Sequence, residues 1–154
     1  MNKTLVFDMD GTIANLYGVE GWLEMLRAED ATPYAIAEPM YRMDILATIL
    51  KYFRILGWKI AVTTWLAKDA SPEYNEAVTK TKKEWLAKYD FPFDMFTAQI
   101  YGTDKEEATK NIGGYQVLVD DNAEIRKAWT LGKTIDANTD IMRELVPLLD
   151  IARV

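Results

Sequence analysis

The chain of 154 residues contains no cysteine and no histidine. The first absence excludes a disulfide framework, a thiolate zinc site and a thiol nucleophile, and the second excludes catalysis of the Ser-His-Asp type. Any chemistry carried by this protein must therefore use the side chains of Asp, Glu, Lys, Thr and Tyr.

Basic residues are in the minority, since 18 Lys and Arg stand against 24 Asp and Glu, for a net charge of -6. Stable coating of a nucleic acid depends on clustered Lys and Arg, so we expect no such partner here. A small phosphorylated substrate remains compatible with this charge.

Long hydrophobic runs are also missing, because the N-terminus reaches only a short apolar run interrupted by aspartates. Such a run is too short for a signal-peptide core or a membrane span, and we expect a cytoplasmic protein without a membrane partner. The length, with 49% hydrophobic and 27% charged residues, predicts a single globular domain over residues 1–154. The oligomeric state stays open.

Short apolar runs alternate with helical patterns, which is typical of a parallel sheet covered by helices. We predict strands over 4–8, 59–63, 95–100, 116–120 and 133–136, and helices over 43–56, 73–89, near 104–111 and beyond 136. Pro147 should kink or divide the last helix. The predicted fold class is α/β, a Rossmann-like parallel sheet with helices on both faces. A small insertion over about 15–42 should hold one helix at 21–28 and a loop through Pro33 and Pro39.

Polar residues end three of the predicted strands, and in such sheets the ligand site lies at the carboxyl ends of the strands. Two carboxylates separated by one residue and followed by a glycine turn can bind a hard cation and place a nucleophile beside a proton carrier. The strand-end residues are Asp8 with Asp10, Thr63 with Thr64, and Asp120 with Asp121.

These residues resemble the motifs of the haloacid dehalogenase superfamily in their order along the chain. The four motif positions read Asp8-Met9-Asp10-Gly11-Thr12, Val62-Thr63-Thr64, Lys105 and Val119-Asp120-Asp121-Asn122. The resemblance covers most of the chain. The compact form, the paired hydroxyls and the Asp-Asp pair look most like the 5'(3')-deoxyribonucleotidase branch.

The resemblance implies a magnesium-dependent phosphomonoester hydrolase. Asp8 would attack phosphorus and form an aspartyl phosphate, while Asp10 would protonate the leaving oxygen and later deprotonate water. Mg²⁺ would be held by a carboxylate oxygen of Asp8, the backbone carbonyl of Asp10 and Asp121. Asp120 would either join the ion or orient its ligands. An acid at the position of Asp10 distinguishes this group from the transport ATPases.

On the substrate side, Thr63 would hydrogen-bond the transferred phosphoryl group, and Gly11 would let the backbone amides surround its oxygens. Thr12, Thr64 and Trp65 are further predicted substrate contacts. Two lysines precede the acidic pair, and we favour Lys105 over Lys110 as the charge that stabilises Asp8 and the phosphoryl group. Lys105 follows Asp104, a good helix N-cap, and so lies near the strand-end face.

The insertion is too short for the closing cap that a mutase requires, which favours hydrolysis. Its aromatic residues could stack on a nucleobase, although aromatic side chains more often serve packing. A nucleoside monophosphate is the leading substrate class. The aromatic residues concerned are Tyr17, Trp22, Tyr34, Tyr41 and Trp65.

Two other classes of protein share some of these features. A phosphoacceptor receiver domain also has clustered aspartates, but its phosphorylated Asp follows the third strand and its Lys lies near the end of the chain. A non-catalytic phosphate-binding module is the second, and the filled catalytic positions give it little support. Four lysines of the 73–89 helix are expected to form a solvated face rather than a polyanion contact. They are Lys80, Lys82, Lys83 and Lys88.

Overall fold

The structure is a computed structural model that describes the backbone of residues 2–151 and the side chains of residues 2–150. In chain order its elements are β1 (Lys3–Phe7), β2 (Ala14–Asn15), α1 (Trp22–Arg27), α2 (Thr32–Ile36), β3 (Glu38–Pro39), α3 (Met43–Ile55), β4 (Lys59–Leu66), α4 (Pro72–Lys88), β5 (Met95–Ile100), α5 (Glu106–Thr109), β6 (Tyr115–Asp120), α6 (Ala123–Ala128), β7 (Thr134–Asp136) and α7 (Ile141–Ile151). Short 3-10 turns lie at Leu16–Gly18 and Lys110–Ile112.

Five strands form one parallel sheet in the order β5-β4-β1-β6-β7, with β1 hydrogen-bonded to both β4 and β6. The predicted fold class, an α/β Rossmann-like sheet flanked by helices, is confirmed. The chain runs from β1 outward through β4 to β5, then crosses back to β6 and β7. This reversal beside β1 is where such sheets open a crevice for a ligand.

Alternating side chains of the sheet enter two separate cores, because successive residues of a strand point to opposite faces. Leu5 and Phe7 of β1 pack into the larger core, to which α3, α4 and α7 contribute Leu50, Trp85 and Leu145. Val6 lies in a smaller core on the other face, together with Ala61, Leu118 and Trp129. Both faces of the central strands are therefore buried.

Local signals place the helices that follow the strands. Gly57 adopts φ +94° just after α3 and lets the chain turn into β4. Ser71 caps α4, since its Oγ accepts the Tyr74 amide at 3.1 Å, and Pro72 occupies the first turn, where no amide donor is required. The predicted helices over 43–56 and 73–89 agree with α3 and α4 to within one residue.

The segment between β1 and α3 contains more regular structure than the sequence predicts. The expected loop through Pro33 and Pro39 is wrong, because Pro33 lies in the first turn of α2 and Pro39 pairs with Ala14 across the β2-β3 ribbon. Proline is well tolerated at both places, since neither a first helical turn nor an edge strand needs its amide. Leu16 and Tyr34 pack with Tyr74 and other residues of α4 in a third cluster.

Pro147 does not divide the last helix, which continues through it from Ile141 to Ile151. Ile141 and Leu145 precede the proline and Leu148 follows it, and all three are buried in the larger core. Burial on both sides of Pro147 offsets the hydrogen bond that an interior proline removes. Within residues 2–151, no helix combines the length and apolar character needed to cross a membrane.

Candidate active site

The carboxyl ends of β1, β4 and β6 bring the predicted site residues to one edge of the sheet. Asp8 directly follows β1, and its amide donates to the carbonyl of Val119 at 2.9 Å, which extends the β1-β6 ladder by one residue. Asp120 is the last residue of β6, and Thr63 and Thr64 lie near the end of β4. The backbone ladder therefore fixes the separation of these side chains.

Asp8 is buried, with 7% of its surface exposed, and both of its carboxylate oxygens have partners. Oδ1 accepts from the ammonium of Lys105 at 2.5 Å, and Oδ2 accepts from the hydroxyl of Thr12 at 2.9 Å. A buried carboxylate needs such compensation, because an unpaired charge away from water is costly. The two bonds hold the carboxylate in one orientation at the mouth of the sheet.

Lys105 joins three chain segments at this point. Besides Asp8, its Nζ donates to Asp120 Oδ2 at 3.2 Å and to the carbonyl of Thr63 at 3.4 Å, and it lies 5.3 Å from the centre of the Trp65 ring. Burial opposes the charged form of Lys105, but the carboxylates of Asp8 and Asp120 outweigh it, so its pKa is raised. Lys105 is thus a cation at neutral pH, fixed beside Asp8.

Lys110 lies outside this arrangement. Its ammonium pairs with Glu107 at 2.8 Å, and both side chains are about half exposed. The four residues between the two lysines form α5, and the 3-10 turn begins at Lys110, so the chain has left the strand ends there. Of the two lysines that the sequence offers, Lys105 alone contacts Asp8.

Three carboxylates form a cluster suited to a divalent cation. Asp8, Asp120 and Asp121 each offer an oxygen within 4.8 Å of the others. Burial, followed by contacts with Asp8 and by the charge of Asp120, raises the pKa of Asp121 to about 7. Burial and the charge of Asp8 also raise the pKa of Asp120. Burial is the larger cause of both pKa shifts, and the closeness of the carboxylates adds to it.

Such a donor set fits a hard cation, since Mg²⁺ prefers carboxylate and carbonyl oxygens. An ion bound here would relieve the repulsion that raises the pKa values of Asp120 and Asp121. The carboxylate of Asp10 is not part of this cluster. Its predicted contribution, through the backbone carbonyl, remains a prediction.

Gly11 and Thr12 shape the turn that follows β1. Gly11 adopts φ +82°, and a Cβ atom placed there would lie 2.5 Å from Asp121 Oδ2, so only glycine fits. Thr12 is fully buried, and its hydroxyl lies 2.9 Å from Asp8 Oδ2, 3.3 Å from Asp121 Oδ1 and 3.2 Å from the Asp121 amide. Thr12 therefore ties the β1 turn to the end of β6. Direct contact of either residue with substrate remains a prediction.

The two threonines of β4 have different surroundings. Thr63 is fully buried, and its hydroxyl has no hydrogen-bond partner among the described residues. A buried hydroxyl without a partner is uncommon, and the predicted contact of Thr63 with a phosphoryl group stays a prediction. Thr64 is also fully buried, but its hydroxyl accepts from Lys82 at 2.7 Å. The structure thus gives Thr64 a role in holding a lysine, and its predicted substrate contact stays untested.

The predicted solvated face of the 73–89 helix is wrong for Lys82. Lys80, Lys83 and Lys88 lie on the exposed face of α4 as expected, but Lys82 is fully buried. Its ammonium donates to Asp10 Oδ2 at 2.9 Å. The available signal was its position seven residues before Tyr89 and four after Val78, on the apolar side of the helix.

Asp10 lines the same cleft as Asp8 and Lys105 but pairs with Lys82. Burial raises the pKa of Asp10, and the charge of Lys82 partly offsets that rise. A carboxyl group with a raised pKa, near the buried carboxylate of Asp8, suits a group that must both give and take a proton.

A cleft of about 410 Å³ opens above these residues. One wall comes from the segment after β1 and the other from the loops after β4 and β5. Tyr17 packs edge-on against Trp22 at 5.0 Å between ring centres, and Trp65 packs against Tyr101 at 4.8 Å. The residues lining the cleft include Asp8, Asp10, Tyr17, Trp22, Tyr34, Trp65, Lys68, Tyr101, Lys105, Asp120 and Asp121.

The five aromatic residues singled out in the sequence divide between the cleft and the core. Tyr17, Trp22 and Trp65 line the cleft, and the indole of Trp65 also donates to the carbonyl of Thr103 at 3.0 Å. Tyr34 reaches the cleft but is largely buried against α4. Tyr41 donates its hydroxyl to the carbonyl of Ala137 at 2.8 Å and packs against the main core.

Comparison with known proteins places the fold. No protein-family model matches the sequence, and no curated protein matches it. The structure is similar to the crystal structure of D,D-heptose 1,7-bisphosphate phosphatase from Burkholderia thailandensis, with a TM-score of 0.56 and 11% sequence identity. The match covers 96% of this chain and 99% of that chain, so the likeness extends over the whole fold.

Proposed function

We propose that this chain is a phosphomonoester hydrolase of the haloacid dehalogenase type, acting through an aspartyl phosphate on Asp8. The observation that carries the proposal is the setting of Asp8, which is buried, is held by Lys105 at 2.5 Å and by Thr12 at 2.9 Å, and belongs to the three-carboxylate cluster. The fold shared with a phosphatase over 96% of the chain supports the same reaction class.

In the first half of the reaction, a carboxylate oxygen of Asp8 forms a bond to phosphorus while the bond to the leaving oxygen breaks. Asp10 gives its proton to that oxygen, so the leaving group departs as a neutral alcohol. Lys105 stabilises the charge on the transferred phosphoryl group, and the free hydroxyl of Thr63 donates to one of its oxygens. Each contact acts on charge that develops at the edge of the sheet.

In the second half, Asp10 takes a proton from water, the water oxygen attacks phosphorus, and the bond to Asp8 breaks.

The carboxylates of Asp8, Asp120 and Asp121, with the carbonyl of Asp10, would hold Mg²⁺. When bound, the ion offsets the repulsion between Asp8 and the phosphate dianion. The carboxylate oxygens of these three aspartates lie within 4.8 Å of one another, which supports this assignment.

A nucleoside monophosphate is the proposed substrate class. The cleft of about 410 Å³ has an aromatic pair on each wall, Tyr17 with Trp22 and Trp65 with Tyr101. Aromatic faces bind planar bases by stacking. We propose that the segment over about 15–42 acts as a small cap on this cleft, and that the protein works in the cytoplasm on a small phosphorylated metabolite.

A phosphatase screen tests the reaction and the substrate together. Wild-type protein with Mg²⁺ is assayed on an aryl phosphate, nucleoside monophosphates, sugar phosphates, sugar bisphosphates and phosphorylated nucleic-acid ends. Asp8→Asn is the blank, and Asp150→Asn, which changes an exposed aspartate of α7, is the matched control. We expect phosphate release that requires Mg²⁺ and favours nucleotides.

The screen also separates the proposal from its rivals. Turnover that persists in excess chelator would contradict the metal-dependent mechanism. A preference for sugar bisphosphates would move the substrate toward that of the heptose phosphatase. A stable phosphoaspartate without phosphate release would instead favour a phosphoacceptor signalling domain, and phosphate binding without turnover would favour a non-catalytic module.

A further inference from the structure

Lys82 is a fully buried cation that the proposed mechanism does not use. Its ammonium has three N–H groups, and three oxygens accept them: Asp10 Oδ2 at 2.9 Å, Thr64 Oγ1 at 2.7 Å and the carbonyl of Trp65 at 3.0 Å. Its donors are therefore all engaged within the protein. A second role as a phosphate ligand would require one of these bonds to break.

Burial of the Lys82 ammonium costs free energy unless other groups replace the water that it loses. A buried ammonium is stabilised only when a carboxylate and further hydrogen bonds replace its water. Asp10 supplies the carboxylate, β4 supplies two acceptors, and the ring of Tyr34 in α2 lies 4.9 Å from Nζ. Lys82 thus connects Asp10 with three other parts of the chain.

This contact distinguishes the two oxygens of Asp10. Oδ2 faces the N–H of Lys82 at 2.9 Å and so cannot carry a proton on that side. When Asp10 is protonated, the proton belongs on Oδ1, the oxygen that Lys82 leaves open. Asp10 lines the cleft beside Asp8, where the leaving oxygen must lie for Asp8 to attack phosphorus.

We propose, building on the proposed function, that Lys82 is a positioning residue for the acid/base group. It holds Asp10 Oδ2 against β4 and α4, so that Oδ1 gives its proton to the leaving oxygen and takes one from water. It acts through Asp10 and touches neither the phosphoryl group nor the leaving group.

The consequence is a division between the two buried lysines. Lys105 stabilises the phosphoryl group that every substrate shares, so its loss should slow the hydrolysis of all substrates alike. Lys82 supports proton transfer by Asp10, so its loss should slow only the steps in which a proton is transferred. Dinitrophenolate leaves without a proton, whereas phenolate and ribose alkoxide require one.

Lys82→Met tests this, because methionine retains the length of the chain without the charge. The control is Lys83→Met, the exposed neighbour on α4. Each variant is mixed rapidly with 2,4-dinitrophenyl phosphate and with phenyl phosphate in Mg²⁺, and the initial burst and the steady rate are recorded. For Lys82→Met we expect the rate of the dinitrophenolate burst to stay within about threefold of the wild-type rate. We expect the steady rate after the burst to be slower than that of wild type, and the turnover of phenyl phosphate to fall about 100-fold. Lys83→Met should match wild type.

A double variant keeps the test decisive if Lys82→Met alone does not fold. Asp10→Asn with Lys82→Met removes both partners, so no unpaired buried charge remains. If Lys82 acts through Asp10, the double variant should turn over phenyl phosphate as slowly as Asp10→Asn alone, within about twofold. A further tenfold fall would show that Lys82 acts on the phosphoryl group directly.

The outcomes also separate this inference from the function on which it rests. Wild-type protein that hydrolyses neither ester would overturn both. A second result would overturn the positioning role alone. In it, the wild type is active, and Lys82→Met slows the burst and the turnover of phenyl phosphate equally or slows neither.

Discussion

The sheet edge and the insertion wall form opposite sides of the same cleft but are built differently. The sheet edge consists of Asp8, Lys105 and Asp120, which are at most 7% exposed and are joined by ion pairs at 2.5 and 3.2 Å. The insertion wall consists of Tyr17 and Trp22 from the segment after β1, and Tyr17 is 54% exposed. One side holds charges in place, whereas the other presents apolar surface.

This contrast indicates where chemistry and recognition lie. Charges in the sheet edge are fixed by strands that hydrogen-bond along their length, so their spacing is preorganised for one reaction. The insertion packs against α4 through its own small cluster, although Ala37 and Tyr41 join the main core. Tyr17 and Trp22 are not members of the main core, so they can change with little effect on the sheet. Lys82 and Tyr34 lie where the two sides meet.

The strongest test of the sheet edge is Asp8→Asn, which removes the nucleophilic carboxylate and keeps its shape. We expect turnover of every phosphate ester to fall about 10⁴-fold or more, because no other group can form the covalent intermediate. Steady-state phosphate release measures this, with Asp150→Asn retaining wild-type rates. Substantial residual turnover would mean that water attacks the substrate directly.

Lys105→Met should have the next largest effect and should be uniform across leaving groups. We expect kcat to fall about 100- to 1000-fold, since one preorganised charge is lost from the phosphoryl site. Lys110→Met, which changes the half-exposed lysine paired with Glu107, should leave kcat within about twofold. The opposite order would move the essential lysine by five residues and break the assignment of the sheet edge.

Tyr17→Ala tests whether the insertion wall binds the substrate. We expect KM for a nucleoside monophosphate to rise about tenfold with kcat nearly unchanged, because one stacked ring is worth about 1–3 kcal/mol. The matched control is Tyr52→Ala on α3, a tyrosine that is 57% exposed away from the cleft. An unchanged KM would mean that Tyr17 serves only packing.

The smallest predicted effect concerns the stability of the metal-free protein. The pKa of Asp121 is raised to about 7 from a usual value of 3.8. Its stabilising contribution is therefore fully present below pH 3.8 and is lost as the pH rises to about 7. Asp121→Asn removes this loss, so the variant should exceed wild type in stability above pH 7 by about 1 kcal/mol, given the solvent screening of a partly exposed group.

Thermal unfolding in chelator at pH 5 and pH 8 measures this difference. The advantage of Asp121→Asn should be larger at pH 8 than at pH 5, and Mg²⁺ should raise the melting temperature of wild type more than that of the variant. A variant less stable than wild type at pH 8 would show that Asp121 is compensated in the metal-free protein.

Much of the sheet edge was predictable, because its signals are local. An apolar run that ends in Asp8 is recognisable as a buried strand with a carboxylate at its end, and the same holds for Asp120. Parallel strands place these ends on one edge whatever the rest of the chain does. Gly11 is required for an equally local reason, since its φ of +82° and the nearby Asp121 oxygen exclude a side chain.

The insertion and Lys82 were less predictable, because their structure depends on distant contacts. Pro33 and Pro39 suggested a loop, yet one starts α2 and the other pairs with Ala14 in the β2-β3 ribbon. Lys82 looked like one of four solvated lysines, but α2 covers that part of α4 and brings Tyr34 over its ammonium. Charge alone cannot tell a solvated lysine from a buried one.

The amino-acid sequence was enough to predict which strand-end residues form the candidate site, because strand periodicity and a glycine turn are set within a few neighbours. Only the folded chain decided which lysine meets which carboxylate. Lys82 and Asp10 are 72 residues apart, and Lys105 and Asp8 are 97 apart. Burial and charge pairing over such separations depend on how whole elements pack, and that packing gave separate partners to two aspartates that have only Met9 between them.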